Sequence, residues 1–157
     1  TFSLNIAEAI IRKDNIIHRY TDQTNNHTAV LIAEDIPTNQ LIIEEIIKSI
    51  GLSPVTSCNG KQAVETFIQH HQASSLFNII IMDCEMPVMD GFEATQKIRH
   101  YEKEHQLTPA FIIALSAHIE PEYRLRSKQS GMDMYLTKPV SAEILIQQIE
   151  NHRRSMA

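Results

Sequence analysis

Five short apolar runs, each followed by an amphipathic stretch, constrain this chain more than any other feature. The runs are Ala29–Ala33, Pro54–Cys58, Ile79–Met82, Ala110–Leu115 and Met132–Thr137. The first, third and fourth are apolar throughout rather than on alternate residues, which is how a strand covered on both faces reads. Between the runs, apolar residues return at helical spacing. Ile43, Ile46, Ile47 and Ile50 fall at i, i+3, i+4 and i+7, and Gly51 supplies a stop. Val64, Phe67 and Ile68 follow Asn59, an N-cap residue with Gln62 three positions on. Ala94, Ile98 and Tyr101 follow Asp90, with Glu93 completing the same pattern. Pro121 suits a first helical turn and Gly131 an end. Ala142, Leu145, Ile146 and Ile149 make the last stripe. A strand–helix unit repeated five times predicts an α/β fold, an open, doubly wound parallel sheet with helices on both faces. The fourth helix carries few apolar residues, Tyr123 and Leu125, and is expected to be the least firmly anchored.

The chain has 157 residues, enough for one domain with a sizeable core. Residues 1–28 read differently from the rest: Thr1–Ile6 alternates like a strand end, and Thr21–Thr28 is wholly polar and reads as a linker. The domain boundary is therefore placed near Thr28. Nineteen acids against 14 Lys and Arg leave a net charge of −5, which argues against a basic nucleic-acid face. No apolar run is long enough to cross a bilayer, and nothing in the sequence argues for secretion. Two cysteines, Cys58 and Cys84, are too few for a disulfide framework and fit a reduced, cytoplasmic compartment.

In a sheet of this kind ligands bind beyond the carboxyl ends of the strands. Glu34 and Asp35 follow the first run, Asp83 the third, Ser116 the fourth, and Lys138 with Pro139 the fifth. Three acids, a hydroxyl and an ammonium thus converge on one edge. Carboxylates so placed repel by roughly 4 kcal/mol per pair at 4 Å in an effective dielectric of 20, and a divalent cation relieves this. Oxygen ligands without His or Cys select Mg²⁺ or Mn²⁺ over zinc. A metal, a lysine and a hydroxyl together suit the stabilisation of a transferring phosphoryl group, and a carboxylate can accept that group as an acyl phosphate.

The motifs V-L-I-A-E-D at Val30–Asp35, I-I-I-M-D-C-E-M-P-V-M-D-G at Ile79–Gly91, A-L-S-A at Ala114–Ala117 and Y-L-T-K-P at Tyr135–Pro139 resemble receiver domains of the response-regulator superfamily. They are most similar to those of hybrid sensor histidine kinases. The resemblance covers residues 29–154 and leaves 155–157 as a tail. It implies a five-stranded flavodoxin-like sheet of order 2-1-3-4-5 with five helices. It implies that Asp83 accepts a phosphoryl group from phosphohistidine on a histidine kinase or a histidine phosphotransfer domain. Asp35 and Asp83 would bind the metal directly, Glu34 through water, and Glu85 through its backbone carbonyl. Ser116 and Tyr135 would be the switch pair, and Lys138 would bridge the phosphoryl group and the acids. A cis Lys138–Pro139 bond would aim that ammonium at the site. Thr1–Ile6 resembles the last strand of a kinase ATP-binding domain, which would make this chain a piece of a hybrid kinase.

The alternatives are a stand-alone regulator and a Mg²⁺-dependent phosphohydrolase with Asp83 as nucleophile; the latter lacks the usual D-x-D-x-T/V motif. Neither nucleic acid nor membrane is expected as a direct partner. Oligomeric state stays open between a monomer and a homodimer formed on phosphorylation. Of the eight histidines, His70 and His71 end a helix, and His18, His27, His105 and His152 read as linker or tail residues. His118, two residues after Ser116, reads as a solvated loop residue at the site mouth. Arg153 and Arg154 read as a charge complement to a helix end.

Overall fold

A computed structural model describes residues Thr28–Met156. The readings made for the segment before Thr28, including its two histidines and the strand-like Thr1–Ile6, lie outside these residues. The element order is β1 (Ala29–Ala33), α1 (Pro37–Ser49), β2 (Ser53–Ser57), α2 (Gly60–Gln72), β3 (Phe77–Asp83), α3 (Gly91–Glu104), β4 (Phe111–Ser116), α4 (Pro121–Ser130), β5 (Met134–Thr137) and α5 (Ala142–Ser155). Among the described residues the strands form one parallel sheet of order β2-β1-β3-β4-β5. No helix among the described residues is long and apolar enough to cross a membrane.

The continuous apolar runs explain the layering. Along β1, Val30 and Ile32 face one layer and Leu31 and Ala33 the other, all at most 1% exposed. One layer packs Ile43, Ile46 and Ile47 of α1 and Leu145 and Ile149 of α5 against the sheet. The other packs Ala63 and Phe67 of α2 and Phe92, Ala94 and Ile98 of α3. Burying a side chain of this size stabilises by roughly 2 kcal/mol, so two filled layers dominate the fold's energetics.

The helix ends follow the sequence signals with small departures. Asn59 Oδ1 accepts from Gln62 N (2.8 Å), but Gln62 Oε1 reaches back to Cys58 N, not to Asn59 N. Asp90 Oδ1 accepts from Glu93 N (2.8 Å), whereas the Glu93 carboxylate turns toward Lys97. Gly131 closes α4 at φ +102°, a left-handed position that suits glycine. The last apolar run is longer than the strand it contains. Met132 is buried, but its N–H returns to the Ser127 carbonyl, so it belongs to the end of α4 and β5 starts at Met134.

Two histidines read as tail or linker residues are packed. His152 lies within α5, its ring flat on Phe111 with centroids 4.2 Å apart, and burial lowers its pKa. His105 caps α3 and stacks on Tyr101 at 3.9 Å. Arg153 and Arg154 do occupy the last turn of α5.

Candidate functional site

Asp83 is the last residue of β3, the middle strand, and is 1% exposed. Two groups hold its carboxylate. The Glu85 N–H donates to Oδ1 (3.0 Å), and the Lys138 ammonium donates to Oδ2 (2.8 Å). Lys138 follows β5, where its N–H donates to the Ser116 carbonyl (2.8 Å) and fixes the chain beside β4. The Lys138–Pro139 peptide bond is cis. Position 91 has to be glycine, because a Cβ there would run into the Asp83 carbonyl oxygen. The start of α3 therefore closes directly onto the end of β3.

Glu34 and Asp35 follow β1. Glu34 is buried, and its Oε1 accepts from Ile36 N (3.1 Å). Its Oε2 lies 3.2 Å from Lys138 Nζ but off the line of a hydrogen bond, and is left without a hydrogen-bond donor. Asp35 is half-buried. Glu34, Asp35 and Asp83 each offer a carboxylate oxygen within 4.8 Å of the others. Three carboxylates against one ammonium leave an excess of negative charge. Burial, with the Glu34 charge adding to it, pushes the Asp83 carboxyl up from 3.8 to about 6 despite Lys138 and the Glu85 N–H. Burial alone would lower the Lys138 pKa, but the hydrogen bond and charge of Asp83, with Glu34, outweigh it and raise it. Three acids sharing a single ammonium and an all-oxygen donor set fit a hard divalent cation.

Ser116 ends β4 and is buried. Its Oγ accepts from His118 N (3.1 Å) and points its hydrogen toward Glu85 Oε1 (3.4 Å). Tyr135 of β5 donates its hydroxyl to the His118 carbonyl (2.6 Å), with the Arg124 guanidinium 5.0 Å over its ring. Asp35, Glu85, Met86, His118, Tyr123 and Arg126 are among the residues lining an open depression of about 430 Å³ at this edge. The fold thus brings Glu34, Asp35, Asp83, Ser116 and Lys138 together, with Tyr135 one contact away.

Residue-by-residue reading missed two features here. His118 is a loop residue with its side chain 36% exposed, but it is engaged as well: its ring lies flat on Tyr123 (3.9 Å, 3°) with Nε2 2.8 Å from Glu85 Oε1. The side chain of Glu85 takes part as well as its backbone. The signal available was that both stand two residues beyond a strand end that points into the site. Cys84, next to Asp83, is no rival nucleophile. Burial, then the charges of Asp83 and Glu85, push its thiol up to about 12.

Residues 30–150 match the family described as the response regulator receiver domain. The chain belongs to that family. The likeness extends to receivers carried by histidine kinases. The receiver is 38% identical over 117 residues to the peroxide stress-activated histidine kinase mak1 of Schizosaccharomyces pombe, a match covering 74% of this chain and 7% of that protein. It therefore spans a small part of the length of such relatives. Among solved structures, it is similar to the receiver domain of the sensor histidine kinase PA1611 of Pseudomonas aeruginosa PAO1, which holds a magnesium ion in its active-site cleft. There the identity is 32% and the TM-score 0.68, over 80% of this chain and 97% of that one. It is also similar to a Saccharomyces cerevisiae co-crystal of the histidine phosphotransfer protein Ypd1 with the receiver domain of the response regulator Ssk1. That match has 30% identity and a TM-score of 0.71, over 81% of this chain and 89% of that one. The receiver fold and a place in phosphorelay signalling follow from these matches.

Proposed function

We propose that Asp83 accepts a phosphoryl group from a phosphohistidine of a partner protein, and that the resulting acyl phosphate is the signal. The observation that carries this reading is a buried carboxylate, lysine-bonded at 2.8 Å, at the carboxyl end of the central strand beside two further acids. One Asp83 oxygen attacks phosphorus and forms the new P–O bond. The P–N bond breaks, its electron pair stays on the imidazole nitrogen, and a proton from water leaves the histidine neutral. With a carboxyl near 6, Asp83 is mostly ionised at neutral pH and so is ready to attack. Lys138 keeps its charge and faces the oxygen on which negative charge accumulates. Ser116 is neutral, so it can turn its hydroxyl to the phosphoryl group without repulsion, and Tyr135 adjusts beside it. Hydrolysis of the acyl phosphate resets the domain.

Glu34, Asp35 and Asp83, with the Glu85 carbonyl, are the residues that would hold Mg²⁺, as the excess of acids over the single ammonium favours. Bound there, Mg²⁺ would neutralise charge on the phosphoryl oxygens.

The partner is read as a histidine kinase or a histidine phosphotransfer protein. Ile36, Leu41 and Ile42 leave 45%, 58% and 53% of their surfaces exposed on and just before α1, beside the acids, an apolar rim that suits docking. The similarity to kinase-borne receivers, over a small fraction of their length, supports a place in a hybrid sensor histidine kinase.

The test is incubation with acetyl phosphate and Mg²⁺ followed by intact-mass measurement. One phosphoryl group per chain is expected, held rather than turned over, and absent after chelation of Mg²⁺. Asp83→Asn should abolish it. Labelling that survives in the variant, or continuous release of phosphate from small phosphoesters, would overturn the assignment.

A further inference from the structure

We infer that His118 is a positioning residue that carries the movement of Ser116 to α4, clamped between Glu85 and Tyr123; this rests on the phosphoacceptor reading above. His118 meets all four parts involved. Its N–H donates to Ser116 Oγ (3.1 Å), and its carbonyl accepts from Tyr135 OH (2.6 Å). Its ring lies on Tyr123 in the first turn of α4 (3.9 Å, 3°), while Nε2 stands 2.8 Å from Glu85 Oε1 and Nδ1 3.5 Å from Glu120 Oε2.

Glu85 Oε1 is also the atom toward which Ser116 Oγ donates, at 3.4 Å. For Ser116 to bond a phosphoryl oxygen on Asp83, its hydroxyl must leave Glu85. The same phosphoryl group brings negative charge up to the Glu85 carboxylate and repels it. Both effects act on the one oxygen that borders His118 Nε2, so the imidazole shifts, and Tyr123 moves with it.

Beyond the packing of Tyr123 on the core, few contacts restrain that end of α4. Its N-cap residue Glu120 makes no side-chain cap bond, and the helix buries only Ser127 and Ser130, both in its later turns. Arg126 lies over Phe92 at 4.1 Å and 3.4 Å from Asp90, one turn beyond Tyr123. The first turn is thus held by Tyr123, which packs on the core and under the His118 ring, and by the Arg124–Tyr135 contact.

The experiment is amide NMR of the full chain, with and without Mg²⁺ and beryllofluoride. Unaltered protein should show shifts at Ser116, Tyr135 and the first turn of α4 together. His118→Phe keeps a flat ring for Tyr123 and has no nitrogen for Glu85. It should keep the α4 signals of the unliganded protein, shift at Ser116 on loading, and lose the response at α4. His118→Ala should lose the α4 response and also disturb α4 before loading. A full α4 response in both variants would overturn the clamp. Absence of any shift at Ser116 in unaltered protein would instead overturn the phosphoacceptor reading on which the clamp stands.

Discussion

The two edges of β4 are held in different ways. On one side lies β3, where Phe77, Ile79, Ile80, Ile81 and Met82 are at most 3% exposed and Asp83 is fixed by two hydrogen bonds. On the other lies β5, none of whose four residues is fully buried, with α4 beside it burying two serines. Apolar burial makes the β3 side rigid, so a carboxylate at its end is held in one place despite the cost of burying it. The α4–β5 side rests Tyr123, Tyr135, Met134 and Leu136 on the core only in part, and leans more on polar and ring contacts, each worth about 1 kcal/mol. A small change of charge at Asp83 is comparable with contacts on that side and negligible against the packing on the other. Under the proposed phosphoryl transfer, the site would stay fixed while the α4–β5 face shifts.

The contrast can be broken most directly by cutting one side chain from each half. Ile80→Ala, at 0% exposure in β3, should cost roughly 3–4 kcal/mol in denaturant unfolding, through lost burial and a cavity. Leu125→Ala, at 56% exposure in α4, should stay within about 0.5 kcal/mol. Equal losses would show that α4 is anchored in ways its contacts do not reveal.

The price of a buried acid is next in size. Because the Asp83 carboxyl is raised to about 6 from 3.8, the folded protein binds its proton more tightly than the unfolded chain between those values. Fewer protons on the unfolded chain mean that stability falls as pH rises through this window, in the absence of Mg²⁺. The full penalty, roughly 3 kcal/mol, is present above pH 6 and vanishes below 3.8. Urea midpoints across that range should show this component, and Asp83→Asn should remove it. An identical pH profile in the variant would show that Asp83 is not the group responsible.

Helix starts give the smallest and sharpest comparison. Asn59→Ala removes the side-chain cap of α2 and should cost about 1 kcal/mol. Glu120→Ala, at the N-cap of α4, removes no such bond and should leave thermal unfolding almost unchanged. A large loss at Glu120 would mean that its contact near His118 does more than the helix start suggests.

Most of the fold was legible because parallel strands buried on both faces announce themselves as unbroken apolar runs, and β1, β3 and β4 are such runs. β2 and β5 were less sharply bounded, being edge strands that half-face solvent. Met132 was drawn into β5 because burial alone does not separate a strand residue from a helix-closing one. The five polar residues of the site could be assembled because each stands at the same place relative to its strand, and topology converts that into proximity. Contacts set by side-chain direction rather than chain position were not legible. The pairing of His118 with Tyr123 and Glu85 needs a helix start and two loops to be placed together. The Arg99 guanidinium likewise reaches Glu102, Asp133 and the carbonyls of Ala110 and Gly131 at 2.8–2.9 Å, a convergence no spacing announces.

A Cβ on Gly91 would strike the carbonyl of Asp83. A library randomised across this loop and screened for signalling would thus retain glycine at 91 almost as strictly as aspartate at 83. It would do so although glycine bears nothing that reacts: the usable chemistry of one residue is inherited from an atom that another lacks.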